Sequence, residues 1–281
     1  MSFDLKGAVA VVTGASRGVG RGVARGLCAS GAVVHITGRT EVEGQAKEAG
    51  LAGSLQRTAD ECNASGERCI PHVCDHLDDT QTKRMFQEIL DRDHHIDILV
   101  NSVWGGYEAM VDEQGRLTWM LPFWQQPIGR WDAMLGAGLR PRYVAAQEAA
   151  RHMVERRRGL IVNISSWAAQ KYVANVAYGV ATAAMDRMTR DMAHELREHN
   201  VAAISLYPGL VRTERVMAAQ VFDLSNSESP QFLGLAVAAL ATDPNIMRRS
   251  GLVVTAAEIA REFGFTDIDG KQPVPLTLDT A

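Results

Sequence analysis

The chain has 281 residues, 46% of them hydrophobic and 22% charged, with 29 basic residues against 33 acidic ones and a net charge of −4. That profile gives ample material for a core and no basic excess to hold a nucleic acid, and the longest apolar stretches, such as residues 235–241, are far too short to span a bilayer. The N-terminus lacks the charged start, apolar run and cleavage site of a signal peptide, so Cys28, Cys62, Cys69 and Cys74 are expected as free thiols in a reducing cytoplasm.

Residues 8–13 are the first short apolar run and predict a buried strand. Thr13-Gly14-Ala15-Ser16-Arg17-Gly18-Val19-Gly20 follows at once, and residues 18–30 read as a helix. This strand–turn–helix context is what a dinucleotide loop requires. Gly14 permits the tight turn, Gly18 and Gly20 let the backbone approach a pyrophosphate, and the helix N-terminus stabilises the anion. Ser16, Arg17 and Val19 complete the candidate contacts. A second strand at 33–37 ends in Ile36-Thr37-Gly38-Arg39. An acidic side chain there would bind a ribose and repel a 2′-phosphate, but Gly38 offers none. Arg39 and Arg17 instead supply two guanidinium groups suited to a phosphate dianion, which favours NADP(H) over NAD(H).

A helix at 41–65 leads to a third strand at 68–74, closed by Asp75. Cys69, His72, Cys74 and His76 crowd this segment, but their C-x2-H-x-C-x-H spacing does not match paired zinc knuckles, and a strand puts Cys69 and Cys74 on opposite faces; no metal site is expected. A helix at 79–92 and a strand at 96–100 follow, with Asn101 at the strand end. The connection 102–130 then carries Trp104, Trp119 and Trp124, with Trp131 just beyond. The remaining pattern is helix 130–156, strand 160–164, helix 174–199, strand 201–206, connection 207–229, helix 230–241 and strand 252–255. Seven strands alternating with six helices predict an α/β fold: right-handed crossovers and one parallel sheet covered on both faces, in a single domain over residues 1–281. Both long connections leave the carboxyl ends of strands, where ligands bind in open α/β sheets, so both are expected to wall a pocket. The tryptophans stand either in that wall or in a satellite core.

The fifth strand ends in Asn163-Ile164-Ser165-Ser166, and Tyr178 follows Ser166 by twelve residues and Ser165 by thirteen. Asn101-Ser102-Val103-Trp104 and Tyr207-Pro208-Gly209-Leu210-Val211-Arg212-Thr213 extend the pattern. With the glycine loop, these motifs resemble the short-chain dehydrogenase/reductase family over nearly the whole chain, and the tail, 241–246 through 265–270, resembles one branch of it. The resemblance implies a Rossmann-type doubly wound seven-stranded parallel sheet, a nicotinamide cofactor, a small-molecule carbonyl or alcohol substrate, and assembly as a homodimer or homotetramer. It implies that a serine hydroxyl orients the substrate oxygen and that Tyr178 gives or takes the proton. It also implies cofactor contacts from Asp75 to the adenine, and from Asn101, Tyr178, Thr182, Pro208, Gly209, Val211 and Thr213 around the nicotinamide half.

Two departures stand out against that resemblance. The family's lysine, four residues after the tyrosine, is Thr182 here, and the helix asparagine of its proton relay is matched by Gly136. A free tyrosine has a pKa of about 10, and lowering it by about 3 units takes roughly 4 kcal/mol of differential stabilisation. Thr182 supplies no charge for this. Alcohol oxidation should suffer more than carbonyl reduction, in which neutral tyrosine is already the acid. Lys171 and Arg140 are the nearest replacement cations along the sequence. Two readings stay open: an NADP(H)-dependent reductase, or an NADP(H)-binding pseudoenzyme or sensor. Counting back from the tyrosine selects Ser165, and anchoring on the strand end selects Ser166. Because neighbouring strand residues face opposite sides, only one is expected in the site, and Ser166 is preferred. Ala181, Ala184, Met185, Met188 and Met192 on the Tyr178 helix form either a subunit interface or an internal face.

Overall fold

In the computed structural model, residues 3–45, 52–64, 66, 68–107, 110 and 116–281 are described. Strands β1 (Val9–Thr13), β2 (Val33–Gly38), β3 (Arg68–Val73), β4 (Ile98–Asn101), β5 (Gly159–Ile164), β6 (Val201–Tyr207) and β9 (Val253–Thr255) form one seven-stranded sheet in the order β3-β2-β1-β4-β5-β6-β9. All its pairings are parallel. A separate two-stranded pair joins β7 (Leu210–Val211) to β8 (Ser227–Glu228) inside the second long connection.

Strand alternation decides the layers. Ala10 and Val12 face one core with Val23, Leu27 and Phe232, while Val9 and Val11 face the other with Phe86, Ala149 and Met153. Helices α1 (Gly18–Ala29) and α8 (Pro230–Thr242) cover the first face; α3 (Asp79–Asp93) and α5 (Arg140–Arg156) cover the second, beside α6 (Val176–Leu196). This is the Rossmann-type doubly wound sheet that the sequence predicts. Its strand order reverses between β1 and β4, which places a ligand crevice at their carboxyl ends.

Helix boundaries differ from expectation in two places. The helix at 41–65 is only α2 (Leu55–Asn63), capped by Ser54; residues 41–45 lie outside it, and 46–51 fall outside the described residues. The helix at 130–156 is broken into α4 (Ile128–Gly136) and α5, because Gly136 and Gly138 loosen the chain and Pro141 favours a new first turn. Two helices escape the sequence reading: α7 (Glu214–Ala219) and α9 (Ala256–Phe263), the latter opened by a capping box between Thr255 and Glu258. Among the described residues no helix is long and apolar enough to cross a membrane.

Candidate active site

The glycine loop turns where β1 meets α1. Gly14 has φ +70°, and a Cβ there would lie 2.7 Å from the Val103 backbone, so only glycine lets the loop lie against the segment leaving β4. Helix α1 begins at Arg17 with no side-chain cap. Instead the Gly18 N–H donates to Glu214 Oε2 at 2.9 Å, a carboxylate reaching in from α7 and also paired with Arg21 at 3.2 Å. The chain's own anion thus sits on the helix N-terminus, and the donor set fits the pyrophosphate of a dinucleotide. Ser16 is buried in the loop, Val19 packs against the core, and Gly20 lies beneath Gly14.

Arg17 reaches the end of β2. Its Nε donates to the Ala52 carbonyl at 3.0 Å, and one terminal nitrogen donates to the Gly53 carbonyl at 2.7 Å and the Thr40 hydroxyl at 3.2 Å. Arg39 is exposed beside Thr40. Glu43 shares this edge, held below the usual carboxylate range chiefly by the Gly53 N–H, with Arg57 and Arg17 adding their charge. Asp75 lies past the end of β3, its carboxylate accepting from the Leu77 N–H at 3.1 Å. Asn101 is fully buried at the carboxyl end of β4, donating to the Asn163 side chain at 3.0 Å and the Arg142 carbonyl at 3.3 Å.

Tyr178 stands in the first turn of α6. Asn175 caps this helix by accepting from the Tyr178 N–H at 2.9 Å. Three rings surround the tyrosine: Trp104 and Trp119 lie 5.7 and 5.8 Å from it, and Tyr107 lies 6.0 and 5.3 Å from the two tryptophans. Burial pushes the Tyr107 hydroxyl far above the usual phenol range, helped by the charge of Tyr178 and a hydrogen bond with it. Trp104 and Trp119 therefore pack on Tyr178, whereas Trp124 is 71% exposed and Trp131 is 40% exposed.

The serines diverge. The Ser165 hydroxyl turns inward to the Thr182 carbonyl at 3.5 Å. Ser166 is half-buried, and its oxygen accepts from the Ala168 N–H at 3.2 Å, capping the short 3-10 turn Trp167–Ala169. In the second connection the Gly209 N–H donates to Glu228 at 2.9 Å, Val211 is buried in β7, and Thr213 caps α7. Pro208 lies half-buried between β6 and Gly209. Burial pushes Glu228 up to about 7.

The charge expected near Tyr178 does not come from the residues that sequence distance favours. The Thr182 hydroxyl is turned back on its own helix, donating to the Tyr178 carbonyl at 2.8 Å or the Gly179 carbonyl at 3.1 Å. Lys171 is drawn to the C-terminus, bonding the carbonyls of Leu278 and Ala281. Arg140 forms a two-pronged ion pair with Asp79, both bonds 2.6 Å. A cation beside the Trp104 ring is Arg142, which the sequence reading passed over; its local signal is an arginine inside the apolar face of a helix. Gly136 also needs correction as the glycine facing the site. A Cβ there meets nothing within 4 Å, whereas one at Gly138 would lie 2.6 Å from the Trp104 ring.

Two further groupings are rearranged by the fold. Cys69 is separated from Cys74 and gathers with Cys28 and Cys62, their sulfurs within 4.8 Å of one another. Cys28 and Cys62 lie in the last turns of α1 and α2. Hydrogen bonding with Cys62 and Cys69, together with burial, holds the Cys28 proton firmly, while hydrogen bonds with Cys28 and Cys69 pull the Cys62 thiol below its usual range. His72 pairs with His35 at 2.8 Å, and His76 bonds Thr37 at 2.6 Å. On α6, Ala181 and Met185 are fully buried against the chain's own core, which leaves only Ala184, Met188 and Met192 of the proposed interface face partly accessible.

Comparison with known proteins agrees with this geometry. Residues 8–222 match the family model for short chain dehydrogenases. The chain is 42% identical to dehydrogenase/reductase SDR family member 1 of Mus musculus and 38% identical to that of Homo sapiens, in each case over 96% of this chain and 86% of the relative. A short chain dehydrogenase structure from Mycobacterium thermoresistibile shares the fold, with a TM-score of 0.78 at 22% identity over 98% of this chain and 94% of that one. The C-terminal tail resembles the same branch. The chain belongs to the short-chain dehydrogenase/reductase family, whose members bind nicotinamide cofactors and act on small molecules.

Proposed function

We propose that this protein is an NADP(H)-dependent oxidoreductase that reduces a small-to-medium apolar carbonyl compound. The observation that carries the reading is the place of Tyr178. It opens α6, is clasped by Trp104 and Trp119, and is joined through Trp104 and Val103 to the glycine loop at Gly14. In the bound state the α1 N-terminus would hold the pyrophosphate in place of Glu214. Arg17 and Arg39 would hold the 2′-phosphate, Asp75 the adenine, and Pro208, Gly209, Val211 and Thr213 the nicotinamide half, over a floor set by Asn101. A bound reduced nicotinamide supplies a hydride to the carbonyl carbon. The Tyr178 hydroxyl then gives its proton to the carbonyl oxygen. Ser166 accepts one hydrogen bond through its oxygen, which leaves its own O–H to orient that carbonyl. The aromatic wall excludes water and suits an apolar substrate. Assembly as a homodimer or homotetramer is part of the proposal.

The test is NADPH consumption over a panel of aromatic and aliphatic ketones and aldehydes. Tyr178→Phe should lower turnover by about a hundredfold or more while leaving NADPH affinity nearly unchanged. Full activity in that variant would remove the tyrosine from the mechanism. A second reading, a nucleotide-binding pseudoenzyme, is favoured by the Thr182 hydroxyl being spent on its own helix. It expects NADPH binding with no turnover of any compound by the wild type.

A further inference from the structure

Arg142 is 3% exposed at the start of α5. One terminal nitrogen donates to the carbonyls of Asn101 at 2.9 Å and Ile164 at 2.6 Å, at the ends of β4 and β5, and contacts Met185 Sδ at 3.0 Å. Its Nε donates to the Val103 carbonyl at 3.1 Å. The guanidinium carbon lies 6.0 Å from the centre of the Trp104 ring, the ring that packs on Tyr178. Tyr178, Thr182 and Met185 recur at helical spacing, so the atom Arg142 touches lies on the same face of α6 as the tyrosine and the threonine.

All these partners are neutral, and among the described residues no carboxylate lies within ion-pair distance of Arg142. A buried charge without a counter-ion is a standing cost to folding. Holding three carbonyls needs only donors, which a neutral amide also supplies. The net positive charge is the part that a scaffold does not require. That charge stands against the Trp104 ring, which also packs on Tyr178, so it lies one ring away from the tyrosine. Burial pulls the guanidinium down to about 9, which leaves it charged at neutral pH. Arg130 stacks on Trp119, and Arg215 stacks on Tyr107 and lends its charge to that hydroxyl.

We propose that Arg142 is a positioning residue that supplies, from beneath the strand ends, the positive charge stabilising the phenolate left on Tyr178. This rests on Tyr178 being the proton donor. When its O–H bond breaks and the product O–H bond forms, the tyrosine keeps the electron pair, and the negative charge is balanced by Arg142 until a solvent proton restores the phenol.

The test reads the cofactor-free protein first. The Tyr178 contribution to the tyrosinate absorbance titration is obtained as wild type minus Tyr178→Phe, and again in an Arg142→Met background. Arg142→Met should move that contribution to higher pH by about one unit or more and reduce turnover by about tenfold or more, with Arg142→Lys intermediate. An unmoved Tyr178 titration in a folded Arg142→Met protein would overturn the proposal. Thr182→Lys in the otherwise wild-type chain tests the same point without disturbing Arg142. With the charge already supplied, the added lysine should move Tyr178 by less than about one unit, and a fall of about two units or more would show that no such charge was present. Because the titration needs neither cofactor nor turnover, it separates failure of the Arg142 role from failure of the reductase reading.

Discussion

Arg17 shows what a residue's type settles and what its surroundings add. Its charge in the glycine loop favours a phosphate-bearing adenosine, and the fold carries it to the end of β2, where the carbonyls of Ala52 and Gly53 and the Thr40 hydroxyl aim it along that edge. Glu43 shares the edge and works against an added phosphate. On the proposed reading, with two arginines against one carboxylate, NADPH should bind more tightly than NADH. Arg17→Ala should remove most of the preference, about tenfold, as expected for one charge-assisted hydrogen bond. Quenching of tryptophan fluorescence on titration with each nucleotide measures it; equal or tighter NADH binding would refute the assignment. Ser165, Ser166 and Tyr178 were legible as candidates because a strand end and a helix start flank them. Arg142 was not, since nothing local says that an arginine in an apolar helix face lies under a tyrosine thirty-six residues on.

The elements around Tyr178 depend on their caps. Asn175 accepts from the Tyr178 N–H, and its amide also reaches the Trp119 carbonyl at 3.4 Å, so one side chain starts α6 and ties the aromatic wall to it. Asn175→Ala should cost about 1 kcal/mol in urea unfolding, while Asn175→Asp, which keeps the acceptor, should recover most of that loss. No change in the alanine variant would mean that α6 is held by packing alone. The strands and long helices were readable from periodicity. The break between α4 and α5 was marked by Gly136, Gly138 and Pro141, yet an apolar pattern running through them concealed it. Helix α7 has only six residues and depends on Glu214 meeting the α1 N-terminus and Arg21, a contact no short window contains.

Across the whole molecule, buried titratable groups set opposing pH slopes. Burial lowers His76 and His35 from 6.5 to about 4, with His72 also disfavouring charge on His35. For these bases the fold favours the neutral form. Their contribution is therefore present above pH 6.5 and lost as pH falls toward 4, up to roughly 3 kcal/mol each. Glu228 runs the other way: burial raises it from 4.5 to about 7, so its contribution is present below pH 4.5 and lost as pH rises through 7. Two histidines outweigh one glutamate. The urea midpoint should fall on acidification from pH 6.5 to 4.5, and more steeply in Glu228→Gln, where the opposing slope is gone. A midpoint that rises on acidification would reverse the assignment.

The sequence by itself determined the sheet, the nucleotide loop and the family, because apolar alternation and fixed-spacing motifs act over a few residues and report directly on local backbone. It also showed the loss at position 182. Only the tertiary structure decided where charge stands around the site. Glu214 meets a loop 196 residues away, Lys171 is drawn off to the C-terminus, Arg140 goes to Asp79, and Arg142 is anchored on carbonyls from two strands. Electrostatic energy depends on distance through space and on burial, and both are fixed only when the crossovers bring separate strand ends together.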